Sequence, residues 1–250
     1  MQTVKVAICF HQDLRSLLSL GMRDHAIIEH TIHRQASIKD IIEALQIPHP
    51  EIGALLVQGK PVDFTYKVCD GDRVEVQPLM APVNLCQPSL LRPEPLPRIR
   101  FMTDANVARL GSLLRMAGLD TLCPKGLDDA EIAVQAVRQE CILLSRDRGL
   151  LKRKIISHGH LVRSEEPKKQ LAEVIKLYGL QEQITPFSRC MHCNGLLKPV
   201  AKKDIIQSLE PLTRTYYQTF FRCPDCAKIY WSGSHKSGMN RLLSAALSTT

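Results

Sequence analysis

The chain has 250 residues, of which 44% are hydrophobic and 23% are charged, and it carries a formal net charge of +8. These values are ordinary for a globular protein, and the length fits one large domain or two to three small ones. No apolar run is long enough to cross a bilayer, and the first residues lack the apolar core of a signal peptide. We therefore expect neither a membrane span nor a membrane partner.

The nine cysteines are not spaced like a disulfide framework. Four of them form two CxxC pairs, and the other five are scattered and odd in number: Cys9, Cys69, Cys86, Cys123 and Cys141. Such a remainder fits a reducing compartment, so the expected location is the cytoplasm.

The positive charge is confined to the second part of the chain. Residues 1–80 carry 8 Lys/Arg and 10 Asp/Glu, whereas residues 81–250 carry 25 Lys/Arg and 15 Asp/Glu. A basic domain attracts polyanions, and nucleic acid is the usual one, although a merely soluble basic surface has the same composition.

Residues 1–80 read as strand, strand, helix, strand, strand. The strands are expected over 4–8, 26–32, 52–59 and 67–76, the last one closing after an Asp-Gly turn. Ser37 is the expected N-cap of a helix that runs through Leu45. This order, with the stretch 57–62, resembles a β-grasp, ubiquitin-like domain of the small sulfur-carrier type. Carriers end in a free Gly-Gly, whereas this segment continues, so the resemblance implies an interaction or scaffolding role.

Residues 81–98 are expected to form a linker, because five prolines block helices and sheet ladders there. Beyond it, residues 99–182 alternate strands and helices, with strands over 99–102, 120–123, 141–144 and 160–163. The helices are expected over 106–117, 128–137, 148–154 and 167–178. Such alternation predicts a parallel sheet with helices on both faces. The predicted fold class is therefore mixed, α+β followed by α/β.

The C-terminal part, residues 183–240, carries the two CxxC pairs, which consist of Cys190 with Cys193 and Cys223 with Cys226. Two such knuckles complete a tetrahedral S₄ shell for a structural Zn²⁺ with no open position. A redox dithiol is the alternative, but it would be single and lie in a βαβ context. Residues 241–250 are expected to be a tail.

Acidic residues follow the expected strand ends of the central segment: Asp104, Asp128, Asp129, Glu131 and Asp147. Ligands of an open parallel sheet bind at the carboxyl ends of its strands. Converging carboxylates repel one another, and Mg²⁺ or Mn²⁺ relieves that repulsion and activates water for phosphodiester cleavage. Capping of the following helices is the competing explanation for each acid.

Two further groups are candidates for contacts with nucleic acid. Arg146, Arg148, Lys152, Arg153 and Lys154 could grip phosphates, or form an ordinary solvated face. In the C-terminal part, Trp231 could stack on an unpaired base beside Arg222 or Lys236, although most aromatic side chains there are expected in its core.

The residues around these acids resemble a known family. Residues 103–107 look like the opening motif of PIN-type nucleases, and residues 145–148 look like their late motif. Together with 109–110, 118–121, 127–131, 187–190, 193–195 and 230–235, they resemble the mut-seven C-terminal ribonuclease domain, a PIN-like fold with an appended zinc ribbon. The β-grasp segment resembles the ubiquitin-like partner often fused to it.

The resemblance implies that Asp104 and Asp147 ligate a metal, and that Asp129, with Asp128 or Glu131, is the third ligand. It also implies that Ser145 and Asn106 orient ligands or water. A further acid is usual in PIN nucleases, and here the stretch before Asp128 offers only Asp120. The site therefore holds one ion rather than two, or its activity is weak.

The leading hypothesis is a metal-dependent ribonuclease, with single-stranded RNA as the expected substrate. The alternative is a non-catalytic RNA- or ribosome-binding adaptor with a structural zinc ribbon. A sulfur-transfer scaffold is a third hypothesis, and DNA as substrate stays open, as does the protein partner of the β-grasp domain. A phosphoacceptor receiver is another doubly wound option, but it normally needs an acidic pair after its first strand, where only Asp104 is found.

Overall fold

The computed structural model describes residues 3–231. Contacts between residues divide the chain into two compact units. The first combines residues 1–99 with residues 124–162, and the second combines residues 100–123 with the chain from residue 163 onward. The chain therefore passes from one unit to the other three times.

The first unit begins with a five-stranded mixed sheet in the order β2-β1-β5-β3-β4. Its strands are β1 (Val4–Phe10), β2 (Ile28–Ile32), β3 (Ile52–Val57), β4 (Lys60–Pro61) and β5 (Arg73–Pro78). β1 pairs with β5 in parallel, and the other pairs are antiparallel. Gln58 and Gly59, both with positive φ, form the tight turn between β3 and β4.

Two helices accompany this sheet, α1 (Gln12–Arg15) and α2 (Ile38–Ala44). Ser37 is the N-cap of α2, as the sequence predicted, and the structure adds a capping box with Asp40. One face of the sheet buries Val6, Ile8 and Val74, and α2 contributes Ile38, Ile41 and Ile42 to the hydrophobic core of the unit.

Residues 124–162 contribute α4 (Asp129–Arg138), β8 (Ile142–Ser145), α5 (Arg148–Leu151) and β9 (Gly159–Leu161), where β8 and β9 are parallel. The helix expected over residues 148–154 is shorter because Lys152 ends it. β8 is buried at all four positions, as expected for a strand of a covered parallel sheet.

The β-grasp segment and residues 124–162 are joined by buried polar contacts. Nδ1 of His160 lies 2.9 Å from Oε1 of Glu51, and the same carboxylate oxygen accepts the Leu161 N–H at 2.8 Å. Both Glu51 and His160 are buried. The side chain of Glu51 therefore satisfies the backbone of β9 from a position 110 residues earlier in the chain.

The proline-rich residues 81–98 are packed against the same unit. Leu85, Leu91 and Leu96 are buried. The guanidinium of Arg92, also buried, donates to the carbonyl oxygens of Pro50 at 2.7 Å, Ile52 at 3.0 Å and Ser157 at 3.2 Å. The segment is thus held by Arg92 both to the β-grasp segment and to residues 124–162, rather than extended into solvent.

The second unit is built on β6 (Phe101–Thr103), α3 (Ala108–Met116), β7 (Thr121–Leu122) and α6 (Pro167–Tyr178). β6 and β7 are parallel, and α3 packs against α6. Gly118, with φ of 90°, ends α3, and a Cβ at this position would clash with the carbonyl oxygen of Thr185. Proline at the start of α6 and Gly179 after it explain why the bounds of this helix were predicted correctly.

The C-terminal part forms an antiparallel sheet of β10 (Lys198–Val200), β11 (Phe220–Arg222) and β12 (Ile229–Trp231). Two short helices, α7 (Lys202–Ile205) and α8 (Pro211–Tyr216), lie between β10 and β11. Ile205, Leu209 and Phe220 form the hydrophobic core of this part. The expected mixed α/β multidomain architecture is confirmed.

Within residues 3–231, none of the helices is long and apolar enough to cross a membrane. The expected tail, residues 241–250, and the end of the expected ribbon, residues 232–240, lie outside the described residues.

Candidate functional site

Four cysteine side chains converge beside the C-terminal sheet. Their Sγ atoms all lie within 4.8 Å of one another, and they belong to Cys190, Cys193, Cys223 and Cys226. Cys190 and Cys226 are 3.5 Å apart, and Cys193 and Cys223 are 3.3 Å apart. The chain thus brings together the two CxxC pairs that the sequence predicted to share one site.

Both pairs lie on the same kind of backbone turn. The residue after each pair is left-handed, Asn194 with φ of 73° and Ala227 with φ of 59°. Its N–H donates to the carbonyl oxygen of the first cysteine of the pair, at 2.8 and 2.9 Å. At Gly195 a Cβ would clash with the carboxylate of Asp225, so the two turns approach as closely as a glycine allows.

The surroundings shift the pKa values of Cys190 and Cys193 in opposite directions. Burial raises the pKa of Cys193 to about 12. Burial also opposes ionisation of Cys190, but hydrogen bonds from the Tyr230 hydroxyl, 3.0 Å away, and from backbone N–H groups lower its pKa to about 6. A Zn²⁺ would relieve the repulsion between thiolates, and tetrahedral Zn–S bonds of about 2.3 Å put sulfurs slightly under 4 Å apart. The cluster is compatible with a structural zinc ion.

The first cysteine turn is anchored to the core of its unit through Asn194 and Asp120. Nδ2 of Asn194 donates to Oδ1 of Asp120 at 2.7 Å, and Oδ1 of Asn194 accepts the Thr121 N–H at 3.1 Å. Asp120 also lies 3.2 Å from Arg100 and 3.5 Å from Arg189. Burial opposes ionisation of Asp120, yet Asn194 and the two guanidinium groups lower its pKa overall.

Arg115 of α3 supplies a second anchor. Its guanidinium donates to the carbonyl oxygens of Thr121 at 2.8 Å, Met191 at 3.2 Å and His192 at 2.8 Å.

Asp120 is the acid that the sequence offered as an additional PIN-type ligand. Its contacts with Asn194, Arg100 and Arg189 engage both carboxylate oxygens in holding the cysteine turn. We assign it a structural role.

Asp104 directly follows β6 and is buried. Oδ1 of Asp104 accepts the Val107 N–H at 3.2 Å and caps the short 3₁₀ helix Ala105–Val107. The side-chain amide of Asn106 donates to Oδ2 of Asp104 at 3.3 Å. This contact orients the carboxylate, and the role of Asn106 toward a metal or water stays a prediction.

Asp147 lies just beyond β8 and caps α5. Its Oδ1 accepts the N–H groups of Gly149 at 2.6 Å and Leu150 at 3.2 Å. The hydroxyl of Ser145, which is fully buried, accepts the Asp147 N–H at 2.8 Å. Within residues 3–231, Oδ2 of Asp147 has no hydrogen-bond partner, so this oxygen is available to a ligand.

Among the three acids at the start of α4, the geometry separates Asp129 from the others. Asp128 and Glu131 form a capping box, each accepting the other's backbone N–H at 2.9 Å. Asp129 is exposed and has no hydrogen bond or ion pair with any described residue. Asp129 is therefore the carboxylate of this group with both oxygens available.

The expected acidic residues belong to both units. Asp104 lies in the second unit, and Asp128, Asp129, Glu131 and Asp147 lie in the first. Among the described residues, the four cysteines form the one group of three or more possible metal ligands whose ligand atoms lie within 4.8 Å of one another. The carboxylates do not form such a group there. The binding of one metal ion by the carboxylates stays a prediction.

Two of the five basic side chains expected to contact phosphates have partners in the β-grasp segment. Nη1 of Arg148 donates to the carbonyl oxygen of Leu17 at 2.6 Å, and Nζ of Lys152 lies 3.2 Å from Oε1 of Gln46. Arg146, Arg153 and Lys154 are exposed. Arg148 and Lys152 therefore already make contacts within the first unit, and the binding of phosphates by the cluster stays a prediction.

Arg222 and Trp231, the expected nucleic-acid contacts of the C-terminal part, lie on neighbouring strands and are both exposed. His235 and Lys236 lie outside the described residues.

Two family models match this chain. The model described as the Mut7-C RNAse domain matches residues 99–243, and the model described as the Mut7-C ubiquitin domain matches residues 3–84. The chain belongs to the Mut7-C RNAse domain family. The match agrees with the family suggested by the sequence, and it covers the acids and the cysteine cluster together. No curated protein and no solved structure matches the chain.

Sequence reasoning missed the polar anchors of the Mut7-C segment. Asn194 gave one usable signal, because asparagine followed by glycine after a CxxC pair favours a left-handed turn. Arg115 and the pairing of Glu51 with His160 gave none, because each joins residues more than 70 positions apart.

Proposed function

We propose that this Mut7-C protein hydrolyses phosphodiester bonds of RNA through Mg²⁺ or Mn²⁺ held by Asp104, Asp129 and Asp147. The match of residues 99–243 to the RNase family model carries this proposal. The availability of Asp129 and of Oδ2 of Asp147 supports the choice of ligands.

The residues around these carboxylates suit the chemistry. A divalent cation would supply a Lewis acid that activates water and neutralises charge on the phosphate. The amide of Asn106 fixes the orientation of Asp104, and the hydroxyl of Ser145 fixes the backbone at Asp147. Arg153 and Lys154, both exposed, are the proposed contacts of neighbouring phosphates.

The test is cleavage of end-labelled single-stranded RNA by the zinc-loaded chain during titration with Mn²⁺ or Mg²⁺. D104N and D147N should each lower the cleavage rate at least about a hundredfold, because a bound metal contributes several kcal/mol to the transition state. D40N is the matched control, since Asp40 also caps a helix but lies in the β-grasp segment. Wild-type rates in D104N and D147N would overturn the proposal.

The third ligand is tested by a second pair of variants. D129N should reduce cleavage, whereas E131Q should mainly weaken the capping box of α4. A larger loss of cleavage in E131Q than in D129N would assign the ligand to Glu131.

The second candidate is an RNA-binding adaptor without catalysis. It is favoured by the observation that Asp104, Asp128 and Asp147 all cap helices, a role that needs no metal. RNA binding without metal-dependent cleavage in the same assay would support the adaptor.

We further propose a cytoplasmic location, because none of the nine cysteines forms a disulfide. We also propose that the ubiquitin-like segment binds a protein partner.

A further inference from the structure

Two cations face each other across the C-terminal sheet. Lys198 of β10 is directly opposite Arg222 of β11. Both are exposed, and neither side chain has a hydrogen bond or an ion pair with any residue from 3 to 231. Like charges directly opposite each other destabilise a sheet, so this pair is best satisfied by an anion from outside.

An aromatic ring lies on the same face of the sheet. Phe220 and Arg222 alternate with Phe221 and therefore share one face, and Trp231 is directly opposite Phe220. This register makes Trp231 a diagonal neighbour of Arg222, within reach of its long side chain.

The indole of Trp231 is both supported and accessible. It packs against the ring of Tyr217, with centroids 6.4 Å apart and planes at 45°, and it is 40% exposed. Tyr217 in turn packs on the core formed by Ile205, Leu209 and Phe220. A partly exposed ring on a fixed support is a surface on which a nucleobase can stack.

The charge of the surrounding segment is complementary to a polyanion. Residues 183–231 contain 7 Lys/Arg and 3 Asp/Glu. Surfaces that bind single strands combine cations, which contact the backbone phosphates, with aromatic rings, on which the bases stack. Both kinds of side chain are present here.

We propose that Lys198, Arg222 and Trp231 form a platform that binds single-stranded RNA. The two cations hold a backbone phosphate, and the indole stacks on an unpaired base. The inference rests on the proposed RNA substrate, and it adds a substrate-binding surface separate from the acidic residues.

Binding is measured by fluorescence anisotropy with fluorescein-labelled decauridylate, the zinc-loaded full chain and no added Mg²⁺ or Mn²⁺. W231A should weaken binding about 5- to 150-fold, the range for loss of one stacked base. W231F, which keeps a stacking ring, should retain most of the affinity.

Salt dependence tests the cations. For K198S/R222S, the slope of the logarithm of the binding constant against the logarithm of the KCl concentration should fall by about 0.7, since the two cations hold one phosphate and each neutralised phosphate on a single strand contributes about 0.7. K125S/K168S removes two exposed lysines outside the C-terminal sheet and is the charge-matched control. Zinc content and circular dichroism identify any variant that fails to fold; if W231A does, K198S/R222S decides.

Wild-type affinity in W231A, or a slope in K198S/R222S equal to that of K125S/K168S, would overturn the platform. Equal affinity for a duplex of the same length would also overturn it, because a duplex offers no unpaired base. Absence of RNA binding by the wild type would overturn it as well, and would favour an acidic protein as the ligand of this face. Because no catalytic metal is added, this assay does not depend on the proposed hydrolysis: RNA binding that W231A weakens, without cleavage when Mn²⁺ is supplied, would keep the platform and overturn the hydrolysis.

Discussion

A single buried amide joins the cysteine cluster to the core of the second unit. Asn194 donates to Asp120, accepts from the Thr121 N–H, and adopts the left-handed conformation that its turn requires. These tasks make different demands, since the contacts need the side chain and the turn needs a residue that tolerates positive φ. Few residue types meet both demands.

Replacement of Asn194 should separate these two contributions. N194G keeps the backbone conformation but leaves buried polar groups without partners, so its free energy of unfolding should fall by about 1–3 kcal/mol. N194A should lose about a further 1 kcal/mol, because alanine is strained at positive φ. Urea unfolding of the zinc-loaded chain gives both values.

Q207A serves as the control for Asn194, since Gln207 is exposed. A stability of N194G equal to that of wild type would show that the turn is not anchored through this side chain.

At the scale of elements, the C-terminal sheet depends on its cysteines. Each of β10, β11 and β12 has three residues, and the core beneath them contains three fully buried side chains. So little buried apolar surface does not stabilise an independent fold, and metal binding usually contributes the missing free energy. We therefore expect this sheet to require the metal.

Removal of zinc should unfold the C-terminal sheet before the rest of the chain. The protein has a single tryptophan, Trp231, which lies on β12, so its fluorescence reports this sheet alone. We expect one zinc ion per chain by elemental analysis, and a red shift of the emission on titration with a zinc chelator. C223S should contain less than one zinc ion per chain, and its emission should be shifted to the red without chelator.

C86S, which removes an exposed cysteine outside the cluster, should behave like wild type. A C223S protein with one zinc ion and unshifted emission would contradict the role assigned to the metal.

At the scale of the whole molecule, the ubiquitin-like segment is an integral part of the first unit. Glu51 pairs with His160, Arg92 joins Pro50 to Ser157, and Arg148 donates to Leu17. These contacts are made by polar groups that are costly to bury without partners. The segment therefore stabilises residues 124–162 directly, whatever partner it also binds.

Replacement of Glu51 should loosen a strand more than 100 residues away. E51A removes the acceptor of the Leu161 N–H and the contact between Glu51 and the buried His160. The free energy of unfolding should fall by about 3–5 kcal/mol, as for other broken buried pairs. Hydrogen exchange should become faster in the peptide containing β9.

E75Q is the control, because Glu75 lies on the exposed face of β5. Unchanged exchange of β9 in E51A would show that the carboxylate is dispensable.

Local signals explain which features the sequence predicted. Proline before α6 and glycine after it fix both ends of that helix, and Ser37 with Asp40 marks the start of α2. The four-cysteine cluster follows from the spacing of two CxxC pairs. Each of these patterns lies within a few residues of the structure it determines.

The anchors could not be predicted in the same way. Asp120 and Asn194 are 74 positions apart, and Glu51 and His160 are 109 apart. Each is a common polar residue whose partner is set by the tertiary fold rather than by a periodic pattern. Asp104 and Asp147 show a different limit, since capping and metal binding both place an acid after a strand.

Because the second unit is built from two separate stretches of the chain, its first stretch is synthesised well before the second. Residues 100–123 emerge from the ribosome before their partners in the second unit, and Thr121 precedes Asn194 by 73 residues. At 5–20 residues per second, that interval is about 4–15 s. Until α6 has been synthesised, α3 and β7 have neither this helix nor the cysteine turn to pack against, so the nascent chain exposes apolar surface that chaperones recognise.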